Sequence, residues 1–477
     1  MGAVFSSNGS SDCSNKRSVR SLSETCKQRK ITRCFEQSTR LISCLPDEIS
    51  LQILARVPRI HYLKLKLVSQ SWKEAISAPE IYSLRREIKT TEEWVFILAC
   101  VEESLLWYAL DPVSRKWQKL PPMPHDSVHD ASRKGLAILQ MWNLLGAGLK
   151  ISDAIKGWLG RGDALDRLPF CGCSIGAVNG CLYVLGGLSR ASALSCVWRY
   201  DPISNTWSEM SPMLTGRAFS KTGVINNKLY VVGGVCRYRG GLTPLQSAEV
   251  FDPETGLWSE VPSMPFSKAQ VMPTGFLADL LKPIATGLTT YRDKLYVPQS
   301  LYCWPFFVDA GGEIYDPETN SWIEMPVGMG EGWPAKQAGT KLSAVVDDEL
   351  YALDLSGSLD SARIKKYDPK DDSWKVASGE VPMTYDQTDA ESPYLLAAFL
   401  GKLHVIIRNT NSDIAVLQVT PEASMQPWES DQLSNGSCSS GSSVASSSST
   451  GGWKVIASRR AVSAELFTFW LLPLPLA

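Results

Sequence analysis

The chain has 477 residues, enough for two or three ordinary domains or for a small domain with a repeat array. Apolar content of 44% and charged content of 20% fit a soluble globular protein, and a net charge of −1 gives no global attraction to nucleic acid. No apolar run approaches the ~20 residues of a membrane helix, the polar start shows no secretory signal, and the 12 scattered Cys read as reduced thiols of a cytosolic or nuclear protein.

Residues 1–42 form a Ser-rich leader without periodicity, expected to be disordered; residues 1–40 carry eight Lys/Arg against three acids. Met1-Gly2-Ala3-Val4-Phe5-Ser6 fits the M-G-x-x-x-S acylation pattern, with Gly2 as acceptor and Cys13 as a second acylation site. One myristoyl chain is a marginal anchor, so the reading allows weak membrane association only, beside the plainer one of a solvated leader.

Residues 43–88 have a helical period. Leu45-Pro46-Asp47-Glu48-Ile49 opens a helix, with acids that complement its dipole. Ile49, Ile53, Leu54 and Val57 recur at helical spacing until Pro58 stops the run. Leu63, Leu65 and Leu67 follow, then Val68-Ser69-Gln70-Ser71-Trp72, where Ser69 or Ser71 caps a third helix that ends near Pro79. Three short helices bury little alone, and so small a module leans on a partner. Leu-Pro-x-Glu-Ile followed by Leu-x-x-Val-Ser-x-x-Trp resembles an F-box. That resemblance implies docking on a Skp-type adaptor, which joins a cullin scaffold. It carries Leu45, Pro46, Ile49, Leu54, Pro58, Leu63, Val68 and Trp72 over as the motif's apolar positions, without sorting module core from adaptor contact.

From residue 92 onward one phrase returns five times: Asp111-Pro112…Trp117, Asp201-Pro202…Trp207, Asp252-Pro253…Trp258, Asp316-Pro317…Trp322 and Asp368-Pro369…Trp374. Leu110, Tyr200, Phe251, Tyr315 or Tyr367 precedes each Asp. Each phrase is a hairpin: Pro fixes φ, Asp bonds the backbone two residues on, and the next strand carries Trp. Upstream of the last four lies a second hairpin, turning at Asn179-Gly180, Asn226-Asn227, Arg292-Asp293 and Asp347-Asp348, and a fifth turns at Leu400-Gly401. Four strands per unit at about 50-residue spacing are the pattern of a β-propeller. With Gly186-Gly187 and Gly233-Gly234 ending two second strands, these units resemble kelch repeats; Pro298-Gln299-Ser300 departs from the glycine pair.

Six blades are counted over 92–470. Blade one has no strand before Trp94. Blade six is interrupted by a Ser/Gly-rich stretch, 434–452, expected to be disordered, and resumes at Trp453-Lys-Val-Ile-Ala457. Arg460-Ala-Val-Ser echoes Arg217-Ala-Phe-Ser220, so residues near 461–470 are expected to supply the missing first strand and close the ring. Residues 471–477, with Pro473 and Pro475, read as a tail that fits no strand interior. An insert at about 132–168, with Leu136, Ile138, Leu139, Trp142, Leu145 and Leu149, suggests a helix packed on the propeller.

The fold class is therefore mainly β: a six-bladed kelch-type propeller preceded by a small three-helix F-box. Arg217, Arg237, Tyr238, Arg239, Tyr302 and Trp304 are the candidate target-binding residues, because Arg, Tyr and Trp favour binding hot spots. Resemblance to plant-type F-box/kelch proteins implies a non-catalytic substrate receptor of an SCF-type ubiquitin ligase, with a Skp-type adaptor, a cullin and a target protein as partners and with no cofactor. The alternative is a kelch scaffold acting without a ligase. A copper oxidase built on kelch blades needs converging His ligands, and the chain has four His, of which His125 and His129 read as loop residues and His61 lies in the F-box.

Overall fold

The computed structural model describes residues 40–101, 104–124, 172–188, 192–238, 241–265, 283–303, 306–333, 342–358, 361–381, 395–408, 414–419, 453–459 and 473–476. The chain forms two units, Met1–Thr90 and Thr91–Ala477. The leader with Gly2 and Cys13, the 132–168 insert, the 434–452 stretch, Arg239 and Trp304 lie outside the described residues.

The first unit is helical. Helix α1 is Asp47–Arg56, a 3-10 turn covers Arg59–His61, α2 is Tyr62–Leu65, α3 is Gln70–Ser77 and α4 is Pro79–Glu87. Ser69 caps α3, its Oγ accepting from Trp72 N–H at 3.1 Å. Pro79 does not merely end the third helix. It stands at the first position of another, where its missing N–H costs nothing, so the described residues of this unit form four helices rather than three.

The second unit is six antiparallel sheets. Blade one holds β1 (Glu92–Val101), β2 (Ser104–Asp111) and β3 (Lys116–Lys119). Blade two holds β4 (Ser174–Val178), β5 (Cys181–Leu185), β6 (Val197–Asp201) and β7 (Thr206–Met210). Blade three runs β8 (Lys221–Ile225), β9 (Lys228–Val232), a two-stranded hairpin β10 (Val235–Tyr238) and β11 (Gly241–Pro244), then β12 (Ala248–Asp252) and β13 (Leu257–Val261). In blade four the first strand is split into β14 (Pro283–Ala285) and β15 (Thr289–Tyr291), both paired with β16 (Lys294–Cys303), before β17 (Phe306–Asp316) and β18 (Ser321–Glu324). The split falls opposite Pro298, which has no N–H for the ladder. A five-residue helix, α5 (Val327–Glu331), leads to blade five, which is β19 (Ser343–Val346), β20 (Glu349–Ser358), β21 (Ser361–Asp368) and β22 (Ser373–Val381). Blade six is β23 (Leu395–Phe399), β24 (Lys402–Arg408), β25 (Ile414–Val419) and β26 (Trp453–Arg459).

The ring closes through the chain's far end, but not where the sequence echo put it. Strand β27, Pro473–Leu476, pairs antiparallel with β1, Trp94 facing Leu474 and Glu93 facing Pro475. The tail is thus the closing strand. Its two prolines sit two residues apart, so both missing N–H groups fall on one edge of the strand, and Leu474 and Leu476 donate to the ladder. That arrangement suits an edge strand, which β27 is in the order β27-β1-β2-β3. First strands then pack on one another around the axis: β4 on β8, β8 on β15, β15 on β19, β19 on β23, β23 on β27 and β27 on β4.

Turn chemistry repeats as the sequence implies. Both residues of each of the five described two-residue turns have positive φ, from Asn179-Gly180 to Leu400-Gly401. Each Asp of the five phrases accepts a backbone N–H two residues on: Val113 at 3.0 Å, Ile203 at 2.7 Å, Glu254 at 2.9 Å, Glu318 at 2.9 Å and Lys370 at 3.0 Å. The Trp couples blades. Trp207, Trp258, Trp322 and Trp374 donate their indole N–H to Pro121, Ser211, Pro262 and Met329 carbonyls of the blade before. The hydrophobic core lies between blades, for example Tyr230, Val232, Ala285, Leu288 and Leu295 between blades three and four.

Candidate partner-binding surfaces

In the helical unit, α1 carries apolar residues on two faces. Leu54 and Ala55 point inward and are 1% and 0% exposed, packed within a core that includes Tyr62, Ile76, Ile81 and Tyr82. Arg85 locks this arrangement from α4. It is buried, and its guanidinium donates to the Ala55 carbonyl (2.6 Å), the Val57 carbonyl (2.9 Å), Tyr62 Oη (3.1 Å) and the Thr90 carbonyl (2.5 Å). A cation among the free carbonyls at the C-terminal end of α1 is favoured there by the helix dipole. Trp72 is half-buried, and its indole N–H reaches the Leu41 carbonyl at 2.5 Å.

The other face stays open. Ile49, Ile53, Leu63, Leu67 and Val68 are all exposed, Leu67 to 84%. Of the eight residues carried over from the motif, Pro46, Ile49, Pro58, Leu63 and Val68 are exposed and Leu45 and Trp72 are half-buried. Leu54 is corrected: it is core, because α4 covers its side of α1. Ile53 and Leu67 join the surface instead. Both were visible as apolar residues, but only the packing of α4 decides which side of α1 is covered.

On the propeller, antiparallel order sorts the connections onto two ends. One end holds the two-residue turns from Asn179-Gly180 to Leu400-Gly401 and the Asp-Pro turns. The other, the loop face, holds the second-to-third-strand hairpins and the links between blades. The hairpins of neighbouring blades three and four bring Arg237 and Tyr238, paired with Leu242 and Gly241, and Tyr302, paired with Phe307, to this one face.

Arg217 does not belong to it. It is 0% exposed, and all five guanidinium N–H groups are engaged: Nε with Glu249 Oε1 (3.1 Å), Nη1 with the Gly233 and Ser247 carbonyls (3.0 and 2.8 Å), and Nη2 with Ser247 Oγ (3.0 Å) and Glu249 Oε1 (2.5 Å). Glu249 accepts further from Leu214 and Thr215 N–H at 2.7 and 3.0 Å. Arg217 is therefore a blade-locking residue, not a target contact. The Gly233 carbonyl forms part of the slot it fills. In blade four Gln299 stands at that place and donates to buried Glu313 at 3.0 Å; in blade five Asp354 does, paired with Lys365 at 2.5 Å. The departures from the glycine pair are thus alternative ways to fill one polar slot.

With this geometry, comparison with known proteins is direct. An F-box domain model matches residues 42–84, and a Kelch motif model matches 169–214 and 216–265. The F-box/kelch-repeat protein At1g22040 of Arabidopsis thaliana is 61% identical over 421 residues, 88% of each chain. The chain belongs to the F-box/kelch-repeat family. Its similarity to the F-box protein AFR of the same plant is 26% identity, covering 67% of this chain and 70% of that one. For the F-box/kelch-repeat protein At1g30090 the identity is 27%, over 66% and 64%. The F-box match coincides with the unit that leaves its apolar face open, and the kelch matches with blades two and three, the two that keep both glycines. As an F-box/kelch-repeat protein the chain has the organisation of a substrate adaptor: a helical F-box unit followed by a kelch propeller. Among the described residues no helix is long and apolar enough to cross a membrane.

Proposed function

We propose that this F-box/kelch-repeat protein is the substrate-recognition subunit of an SCF-type ubiquitin ligase in the cytosol or nucleus. The F-box binds a Skp-type adaptor and, through it, a cullin, while the loop face of the propeller binds the target. The chain performs no bond chemistry; it raises the local concentration of target beside the ubiquitin-charged partner. The observation that carries the reading is the exposed row Ile49, Ile53, Leu63, Leu67 and Val68 beside a core that is complete without it. Amphipathic helical surfaces of this kind seat in apolar grooves. Target recognition is assigned to Arg237, Tyr238 and Tyr302 because their hairpins share one face in adjacent blades; Arg239 and Trp304, outside the described residues, stay candidates on the sequence alone. The test is affinity capture of the full chain from plant extract. Recovery of a Skp-type adaptor with a cullin supports the reading, and a propeller partner recovered without them contradicts it in favour of a ligase-independent scaffold.

A further inference from the structure

Lys221 opens β8. It is buried, 9% exposed, and its ammonium has no hydrogen-bond or ion-pair partner among the described residues. At the same place in blade two stands Ser174, whose Oγ meets Ser220 Oγ at 2.7 Å and the Ser220 carbonyl at 2.6 Å. Two neutral hydroxyls thus close the seam between blades two and three. One seam on, Thr286 holds the place of Ser220, and its hydroxyl donates to the Pro298 carbonyl at 3.1 Å. Lys221 reaches into a seam where the matching hydroxyl is already spent.

Alternation along β8 fixes which seam that is. Thr222 Oγ1 donates to the Ile175 carbonyl of blade two. Residues 221, 223 and 225 face the other way: a Cβ on Gly223 would lie 2.3 Å from Leu288 Cδ2, and Ile225 packs with Ala285, Leu288 and Leu295. Lys221 therefore stands between blades three and four, at the end of β8 that opens on the loop face. Arg237 and Tyr238 lie on the hairpin of one blade and Tyr302 on that of the other.

Among the described residues no carboxylate answers it there. The stretches beside it, 232–234 of blade three and 283–288 and 298–300 of blade four, carry no ionisable side chain. Of the third-strand acids, Glu249 is held by Arg217 and Glu313 accepts from Gln299. Arg217 adds only positive charge. A buried cation is unfavourable unless paired.

We infer that Lys221 is a specificity contact of the loop face, taking the carboxylate of an Asp or Glu side chain that a bound protein target inserts between the hairpins of blades three and four. The inference rests on the propeller being the target-binding unit. Burial alone pushes the Lys221 ammonium down to about 8, so pairing with a carboxylate would draw a proton from solvent near that pH.

A phage-displayed library of random dodecamers panned on the full chain supplies the probe. The enriched peptides are expected to share an Asp or Glu at a fixed position. Calorimetry in buffers of different ionisation heat should show proton uptake when the selected peptide binds near pH 8. Lys221→Met should bind it at least about tenfold more weakly and without uptake, while Lys221→Arg keeps binding. Thermal unfolding of Lys221→Met no lower than wild type separates a lost contact from a lost fold. Peptides without a common acid, or a Lys221→Met chain that binds equally with the same proton uptake, would overturn the inference and leave the receptor reading standing. Enrichment of no peptide by the wild type would count against the propeller as receptor and against this inference with it.

Discussion

Within 20 residues of the F-box unit, 49–68, five large apolar side chains lie open, whereas the described propeller exposes eight spread over all the remaining chain. The propeller places its apolar surface between blades and closes the ring, so each blade is covered by two neighbours. Among the described residues of the F-box unit, none covers one side of α1 and α2. Its core of Leu54, Tyr62, Ile76, Ile81 and Tyr82 is sealed by Arg85, and the rest of its apolar residues face out. A concentrated apolar patch marks an interaction site, while isolated exposed residues are normal. Under the proposed function, recruitment falls to side chains the fold does not need, and stability to side chains that solvent does not meet.

Breaking the propeller's buried pairing should have the largest effect. Glu249→Ala leaves the Arg217 guanidinium buried without its counter-charge, and removing one partner of such a pair costs about 3–5 kcal/mol. Denaturant unfolding of the propeller should shift accordingly, with no change in adaptor binding by the F-box. A midpoint at the wild-type value would show that the slot tolerates a lone cation, and would weaken the comparison.

A smaller effect lies in blade six. His404, 1% exposed, stands where the other blades carry Tyr183, Tyr230, Tyr296 and Tyr351, and stacks on Phe399 with ring centres 3.6 Å apart. Burial pushes its pKa down to about 4. The folded state therefore holds it neutral, and the unfolded chain binds more protons as pH falls from the ordinary histidine value to about 4. Stability contributed above that window is lost across it, on the order of 3 kcal/mol. His404→Tyr should remove this acid limb. Parallel pH profiles of unfolding for the two proteins would refute the assignment.

What the sequence made legible was local. Asn-Gly and Asp-Pro turns fix backbone angles within a few residues, so the hairpins, blade spacing and Trp strands followed from short phrases. Ser69 as a helix cap was legible for the same reason. Pairings across distance were not. Arg217 and Glu249 are 32 residues apart, and no local phrase joins them. Pro473 and Pro475 argued against a strand until the edge position, which excuses the missing donors, was known. Leu54 and Ile53 are adjacent in an apolar run, and which one is core depends on α4. Arg217 misled because an Arg in a loop next to a strand start looks like a surface residue; nothing local announces five internal hydrogen bonds.

The most direct measurement of the central claim compares binding and folding in one F-box surface variant. Ile49→Ser with Leu67→Ser replaces two exposed side chains, and surface changes of this kind alter stability by only about 0.5 kcal/mol each. The account predicts that the full wild-type chain co-purifies with a Skp-type adaptor, and that the double variant loses this binding while its unfolding curve stays in place. Wild type that fails to bind the adaptor, or a variant that binds it as tightly as wild type, would contradict it.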